Sequence, residues 1–539
     1  MKLVILILSV LCVFVVKAQH LQGSIIDADK ETIPSVKLNN TTKGLFKLSN
    51  TKGIFKIKAS PNDTIYFYSR GFDTTTLIIS QEDLENNSFE VVLLNPVQII
   101  GEAHVIRNRL ADFDVGYLPP IRGVQITTGT NTMIELSKLN GAKSTANPRE
   151  IFAKVPGLNI WESDGSGIQI GIGGRGLSPN RAANFNTRQN GYDISADALG
   201  YPESYYTPPI EALKSIEIIR GSASLQFGTQ FGGLLNFVIK DPPVNSPFEF
   251  TTRNTAGTYG YLGSFNRIAG SVNRFSYQVY YQHKRGNGYR DNSEFNQQQL
   301  FAQAGYYVTE NIKLRLEYTH MDYLAHQAGG LTDLQFNADP KVSLRDRNWF
   351  NVDWNILALH YDQKFSNKAH FNVRAFGMKS ARNTLGFLGK ITQADHNDVR
   401  DMISGKFQNA GIEARYLRRY SIFKDTSKID FRGAFLVGGR YYQGNSTAEQ
   451  GLATDGDQAD FNFQNSDDLE NSSYSFPSEN IAGFAENIFF LGKRWTFNFG
   501  ARFENISSSS EGYYKQYVIH PINNDTIAII NNSDSKCVK

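Results

Sequence analysis

From residue 244 onward, apolar and polar positions alternate with a period of two. In "KRWTFNFGARFE", Trp495, Phe497, Phe499, Ala501 and Phe503 share one face, with Arg494, Thr496, Asn498, Arg502 and Glu504 on the other. "IKLRLEYT" repeats the pattern: Ile312, Leu314, Leu316 and Tyr318 oppose Lys313, Arg315, Glu317 and Thr319. This alternation predicts strands with one apolar and one polar face. About eleven such strands are predicted, near 247–258, 262–272, 275–287, 295–308, 312–324, 350–366, 369–384, 403–420, 429–444, 479–491 and 494–508. Their connections alternate as well. "VNR", "TEN", "SNKAH", "FKDTSK" and "LGKR" are short, whereas 286–294, 325–349, 385–402 and 445–478 are long and polar. Short turns on one side and long loops on the other are the pattern of an antiparallel transmembrane β-barrel. The closing run "NNSDSKCVK" reads as part of an outer loop.

Residues 19–94 carry shorter apolar runs separated by turn signals, among them "GSIID", "GIFKIKA", "DTIYFYS" and "FEVVLL". These predict an N-terminal β-sandwich. Residues 95–120 contain Pro96, Pro119 and Pro120 and read as a linker. Within it, "PVQIIGEAHVI" has two readings: an extended segment recognised by strand addition, or a final strand of the sandwich. Residues 121–243 form a glycine-rich α+β domain. Helix character around Glu150–Lys154 ends at Pro156-Gly157, "IEALKSIEIIRG" passes from helix to strand, and "LLNFVIK" is a strand before Asp241-Pro242-Pro243.

The N-terminus has the form of a secretory signal over 1–18, with Lys2, an apolar run from Leu3 to Val16, and Val16-Lys17-Ala18 before Gln19. Such a run spans about 21 Å as helix, short of the roughly 30 Å hydrocarbon core. With Cys12 removed, Cys537 is the sole cysteine and no intrachain disulfide is expected. The 539 residues carry a net charge of +3 with 20% charged and 12% aromatic residues, and no basic cluster suggests nucleic-acid binding.

"GIGGRG" at Gly171–Gly176 fits G-x-G-x-x-G, but Pro179 and the polar "NRAANFNTRQNG" follow where a dinucleotide site needs a helix. No H-E-x-x-H, G-x-S-x-G or paired cysteine ligands occur, so neither an enzyme nor a metal centre is expected, and His320 and His326 read as wall or loop residues. Arg175 and Arg220 each precede a glycine (Gly176 and Gly221) in an apolar strand context. A guanidinium there needs acceptors or water, so a structural role in a polar lumen is expected, with Glu217 and Glu162 as candidate partners.

"FAKVPGLNIWE", "IGIGGRGL", "IEALKSIEIIRGSASLQFG" and "QFGGLLNFVIKDPP" resemble the plug of TonB-dependent outer-membrane receptors. "TKGIFKI" and "YSRGFDT" resemble a carboxypeptidase-regulatory-like domain at 19–94. "YLPPIRG", "RQNGYDISADALGYPESYYTPP" and "GGLTDLQFNADPKVSLRDRNWFNVDW" look most like the ferric-citrate-type branch. The resemblance implies a plug at 121–243 inside a barrel at 244–539, in the outer membrane with its N-terminal module in the periplasm. It implies active import of an iron chelate, ferric citrate or a siderophore, driven by the TonB-ExbB-ExbD energy-coupling complex and needing no cofactor. Import of an oligosaccharide, peptide or vitamin, or a non-transporting surface receptor, is the alternative. The candidate coupling box is Val97, Gln98, Ile99, Ile100 and Gly101. An anionic chelate calls for Arg and hydrogen-bond donors. The candidates are Arg181, Arg188 and Gln189 on the plug apex and Arg345 and Arg347 in the long loop before Trp349. Family barrels have 22 strands; 296 residues follow Pro243, enough for about half, so a truncated or split receptor is expected.

Overall fold

The computed structural model describes residues 19–538, apart from 28–29, 70–71, 73, 86–88, 94–114, 128, 130, 140–150, 153–154, 163–169, 175, 180–184, 200–202, 221–224, 229–231, 245, 424–430, 493–494 and 520–525. The signal segment, the coupling-box candidates, Arg175, Arg181 and Gly221 lie outside the described residues. Two compact units divide near residue 102.

The first unit has two sheets. One runs Ile54–Ala59, Gln19–Ile26, Phe89–Val92; the other runs Leu45–Leu48, Lys37–Asn40, Thr64–Tyr68, Thr75–Ile78. Strict alternation puts Phe55, Ile57 and Ala59 into one core with Leu21, Ile25, Leu38 and Phe67. Gly53, at φ +73°, makes the turn that leads into the Ile54–Ala59 strand.

The second unit nests a six-stranded sheet against a twelve-stranded one. The smaller sheet runs Tyr192–Asp193, Phe185–Gln189, Gly233–Ile239, Leu213–Ile219, Thr132–Glu135, Val115–Tyr117. Its outermost strand comes from the stretch read as linker: Val115 pairs with Ile134. The helical start read into "IEALKSIEIIRG" is a single 3₁₀ turn, Ile210–Ala212, before the strand.

The large sheet is an antiparallel meander from Glu249–Ala256 to Thr526–Val538, each strand paired with the next. Its hairpins follow turn chemistry, as at Asn273, whose φ of +53° suits a tight connection between Leu262–Val272 and Phe275–Gly286. The sheet has twelve strands, not eleven. The run read as a closing loop, "NNSDSKCVK", falls largely within the strand Thr526–Val538, which pairs along Trp495–Ile519. From Asn531 to Lys536 that strand is polar on both faces, so hydrophobic periodicity cannot reveal this part; the ladder imposes it. The strands Phe431–Leu452 and Ser472–Leu491 likewise run into the polar stretch read as a loop at 445–478.

A one-residue step separates two surfaces. Leu316, Leu359, Ala375, Ile412, Tyr441 and Ile481 lie side by side across six strands, all but Ala375 substantially exposed. The adjacent row, Glu317, Ala358, Phe376, Gly411, Tyr442 and Asn480, faces the small sheet, with Glu317 and Tyr442 fully buried. An apolar band of this extent is foreign to water-soluble surfaces and suits lipid. The inner face packs onto the small sheet in one core, where Ile134, Phe185, Tyr192 and Leu235 meet Phe265, Trp354, Phe376 and Phe407.

Replacing Leu359 by arginine places a charge in the outward band. Urea unfolding of the chain in lipid vesicles is expected to show a loss of ~2–4 kcal/mol. A loss within error of zero contradicts a lipid-facing band.

Candidate functional site

The contact between the two sheets is concentrated in one turn. Phe185–Gln189 and Tyr192–Asp193 are joined by Asn190 and Gly191, with φ of +48° and +89°. Two consecutive left-handed residues make a two-residue hairpin, and Asn-Gly is the sequence that favours it. The amide of Asn190 also ties the turn to its own sheet by accepting from Ile239 N at 3.0 Å.

Five side chains of this hairpin reach the wall of the large sheet. Arg188, fully buried, donates Nη1 and Nη2 to the two carboxylate oxygens of Glu413 at 2.8 and 3.0 Å. Nη1 also donates to Gly191 O and Nε to Asn186 Oδ1, and Cζ lies 5.0 Å from the Phe227 ring centroid. Gln189 donates to Thr319 Oγ1 at 3.1 Å and accepts from Tyr206 OH at 2.9 Å. Asn190 donates to both oxygens of Glu317 at 2.9 and 3.0 Å, and Tyr192 OH donates to Glu317 Oε2 at 3.1 Å. Asp193 accepts from Arg440 Nη2 at 3.4 Å.

The wall supplies its own partners for both acids. Glu413 is bridged by Arg415 beside it and lies 3.4 Å from Arg440 Nη1. Glu317 has Arg315 Nε at 3.0 Å and His360 Nε2 at 3.4 Å. Buried carboxylates without such neighbours are strongly destabilising.

Of the residues selected from sequence, Arg188 and Gln189 sit in this hairpin, and neither is exposed. Arg220 lies apart and donates to Pro156 O at 2.9 Å. Glu217, offered as its partner, instead takes Arg122 and Asn236. Gly176 adopts a φ of +84°, which accounts for glycine there.

Arg345 and Arg347 are drawn into the loops. Arg345 donates to the carbonyls of Leu344, Gln393, Gly389 and Lys390 at 2.6–2.9 Å and lies over Phe387. Gly329 leaves it room: a Cβ there would come within 2.7 Å of its Cγ. Arg347 forms a two-point bridge to Asp395 at 2.7 and 2.9 Å and also donates to Asp398 O and Asp455 O. Arg400 donates to Thr454 O and Gln458 O and pairs with Asp460. Three buried guanidiniums thus knit loops 327–348, 387–400 and 453–471 together. The sequence signal for the hairpin was Asn190-Gly191 between two strand-like runs; for the loop clasp no signal exists, because the acceptors are mostly backbone carbonyls.

Residues 124–234 match the family model of the TonB-dependent Receptor Plug Domain. The chain is similar in structure to the ferric citrate transporter FecA in its unliganded form (20% identity, TM-score 0.61, covering 76% of this chain and 59% of that one). It is also similar to the ferric yersiniabactin uptake receptor FyuA from Yersinia pestis (13%, 0.54, 77% and 62%). A third likeness is to the ferric-catecholate import receptor Fiu from E. coli K12 in its open form (13%, 0.54, 77% and 66%). The chain therefore carries a plug against a β-barrel wall and spans 59–66% of the length of these structures.

Two outcomes follow from the geometry. Glu413→Gln takes the carboxylate from Arg188 and Arg415, leaving Arg440 only Asp193, and is expected to cost about 3–5 kcal/mol, whereas Arg188→Gln leaves Glu413 with its wall arginines and is expected to cost about 1–3 kcal/mol. Denaturant midpoints, with deuterium exchange over 185–193, check this order; equal losses would refute it. In the loops, hydrogen bonding from Arg347 holds the Asp395 carboxyl below its ordinary range, with burial opposing. A depressed carboxylate stabilises fully above its unfolded pKa and loses that contribution as pH falls through the folded value. Cleavage within 387–400 by an acid-active protease is thus expected to rise only below about pH 4; an onset near neutrality contradicts the clasp.

Proposed function

We propose that this chain, which has the plug and wall of TonB-dependent receptors, belongs to an outer-membrane importer whose plug is displaced by force applied from the periplasm. The observation that carries the reading is the double pairing of the wall acids. Removing the hairpin takes Arg188 from Glu413, but Arg415 and Arg440 stay. It takes Asn190 and Tyr192 from Glu317, but Arg315 and His360 stay. Neither acid is therefore left without a wall partner, although Arg440 gives up Asp193, and the plug groups that leave are those water can solvate. Each lost hydrogen bond is then worth about 1 kcal/mol rather than the several of a stranded ion. Such a plug is firmly held at rest and displaceable under load.

The cargo we infer is an iron chelate, ferric citrate or a siderophore. Support comes from the named cargoes of the similar structures: ferric citrate, ferric yersiniabactin and ferric catecholates. The energy source is the TonB-ExbB-ExbD complex, engaging the 97–101 segment. Arg188 acts in this reading as a plug anchor, and Arg345 and Arg347 as loop anchors around the mouth.

Deleting residues 97–101 tests the reading. Energy-dependent uptake of radioactive iron supplied as ferric citrate is expected to vanish, while binding of the chelate at the cell surface is retained. Uptake that survives the deletion refutes energy coupling through this segment. Binding without energy-dependent uptake in the undeleted protein marks a non-transporting receptor, and uptake of a sugar, peptide or vitamin in place of iron moves the cargo class.

A further inference from the structure

The four-stranded sheet of the first unit ends in an edge that nothing covers among the described residues. Leu45–Leu48 pairs with Lys37–Asn40 on one side only, and Phe46 and Leu48 are each 58% exposed. The register decides which main-chain groups point outward. Ser49 N donates to Val36 O, so the hydrogen-bonded pairs of this ladder are Val36 with Ser49, Leu38 with Lys47 and Asn40 with Leu45. The next ladder agrees. Thr41 N donates to Thr64 O, so Asn39 and Lys37 direct their main chains to Tyr66 and Tyr68 instead. The N–H and C=O groups of Phe46 and Leu48 therefore face away from the sheet.

The side chains do not blunt this edge. Phe46 begins a row with Asn39 and Tyr66 across the outer face, and Leu48 a row with Lys37 and Tyr68. All four apolar and aromatic members are exposed, and a domain in water ordinarily keeps such an edge short, charged or covered.

Lys47, the strand's one charged residue, selects what can add to it. Antiparallel pairing with a second copy that matches Phe46 to Leu48 sets Lys47 opposite Lys47, and like charges directly opposed are destabilising. A carboxylate in that place is attracted. The surroundings favour the same sign: from Thr32 to Asn62 the chain has six lysines and no acidic residue. Asp63, which ends the run, is taken by Lys43 at 3.0 Å.

We infer that this edge binds an extended acidic peptide segment of a partner protein by strand addition. The added strand exchanges main-chain hydrogen bonds with Phe46 and Leu48, sets apolar side chains beside those two, and sets a carboxylate opposite Lys47. The inference stands apart from the import reading, since no residue of the plug or the wall takes part.

The full chain in detergent is titrated with a fluorescein-labelled seven-residue peptide alternating valine and glutamate, read by fluorescence anisotropy. Three comparisons accompany it: the lysine-for-glutamate counterpart, a copy with proline at the two inner valines, and an alginate oligomer as an anionic glycan. Saturable binding of the valine–glutamate peptide alone is expected, with slower deuterium exchange over 44–49. Lys47→Glu is expected to weaken it by about tenfold and to admit the lysine counterpart. Phe46→Pro removes an N–H that the sheet itself does not use, and is expected to abolish binding with exchange over 54–59 unchanged. Where exchange over 54–59 does change, the charge reversal at Lys47 decides. No saturable binding, equal binding of the lysine or proline peptide, or equal affinity of wild type and Lys47→Glu overturns the site. Binding of alginate in place of the peptide makes the face a glycan surface and overturns strand addition as well. Uptake is not read in any of these, so the import reading still rests on the deletion of residues 97–101.

Discussion

A carboxylate buried among apolar side chains is among the most costly groups a protein can hold, and the inner face of the wall carries several, among them Glu317 and Glu413. The seat of the plug's Asn190-Gly191 hairpin follows from satisfying these two. Both accept from the same hairpin, and both also have cationic or imidazole neighbours on their own wall. The arrangement fixes the hairpin's position to within hydrogen-bond tolerance, because two acids on separate strands must be met at once. It also makes the attachment reversible in kind. Apolar packing between plug and wall gives stability without direction, while the bidentate Arg188 bridge gives direction.

The strands of this fold were legible because lipid and lumen impose opposite demands on alternate residues. "IKLRLEYT" separates into an outward Leu314–Leu316 face and an inward face holding Glu317 and Thr319, as its periodicity implied. The pattern fails where that demand lapses. Beyond Ile530 the strand Thr526–Val538 runs on through polar residues, and its ladder continues to Val538 without apolar alternation. The site was less legible for a different reason. Arg188 and Glu413 are 225 residues apart, and nothing local to either indicates the other. Sequence reasoning found the arginine and assigned it outward to a ligand; the fold turns it inward to an acid.

The loop arginines extend this lesson. A guanidinium has five donors, and Arg345 spends its donors on carbonyls of its own and a neighbouring loop. Acceptors of that kind are present at every residue, so composition cannot point to them. The consequence is a rim whose three loops share buried charged pins. Moving one loop alone would strand a guanidinium, so these loops respond together or hardly at all.

Strand length completes the picture. A tilted strand needs about 9–11 residues to cross a membrane, yet Phe431–Leu452 and Trp495–Ile519 have 22 and 25. The surplus carries the wall beyond the lipid band, into stretches such as "SSYSFPS" where serine replaces the outward apolar residues. Freed from lipid, these segments tolerate Pro477, a row of small residues and hydroxyls on both faces. The same release erases the hydrophobic alternation, and for that reason the segment reads as loop in the sequence.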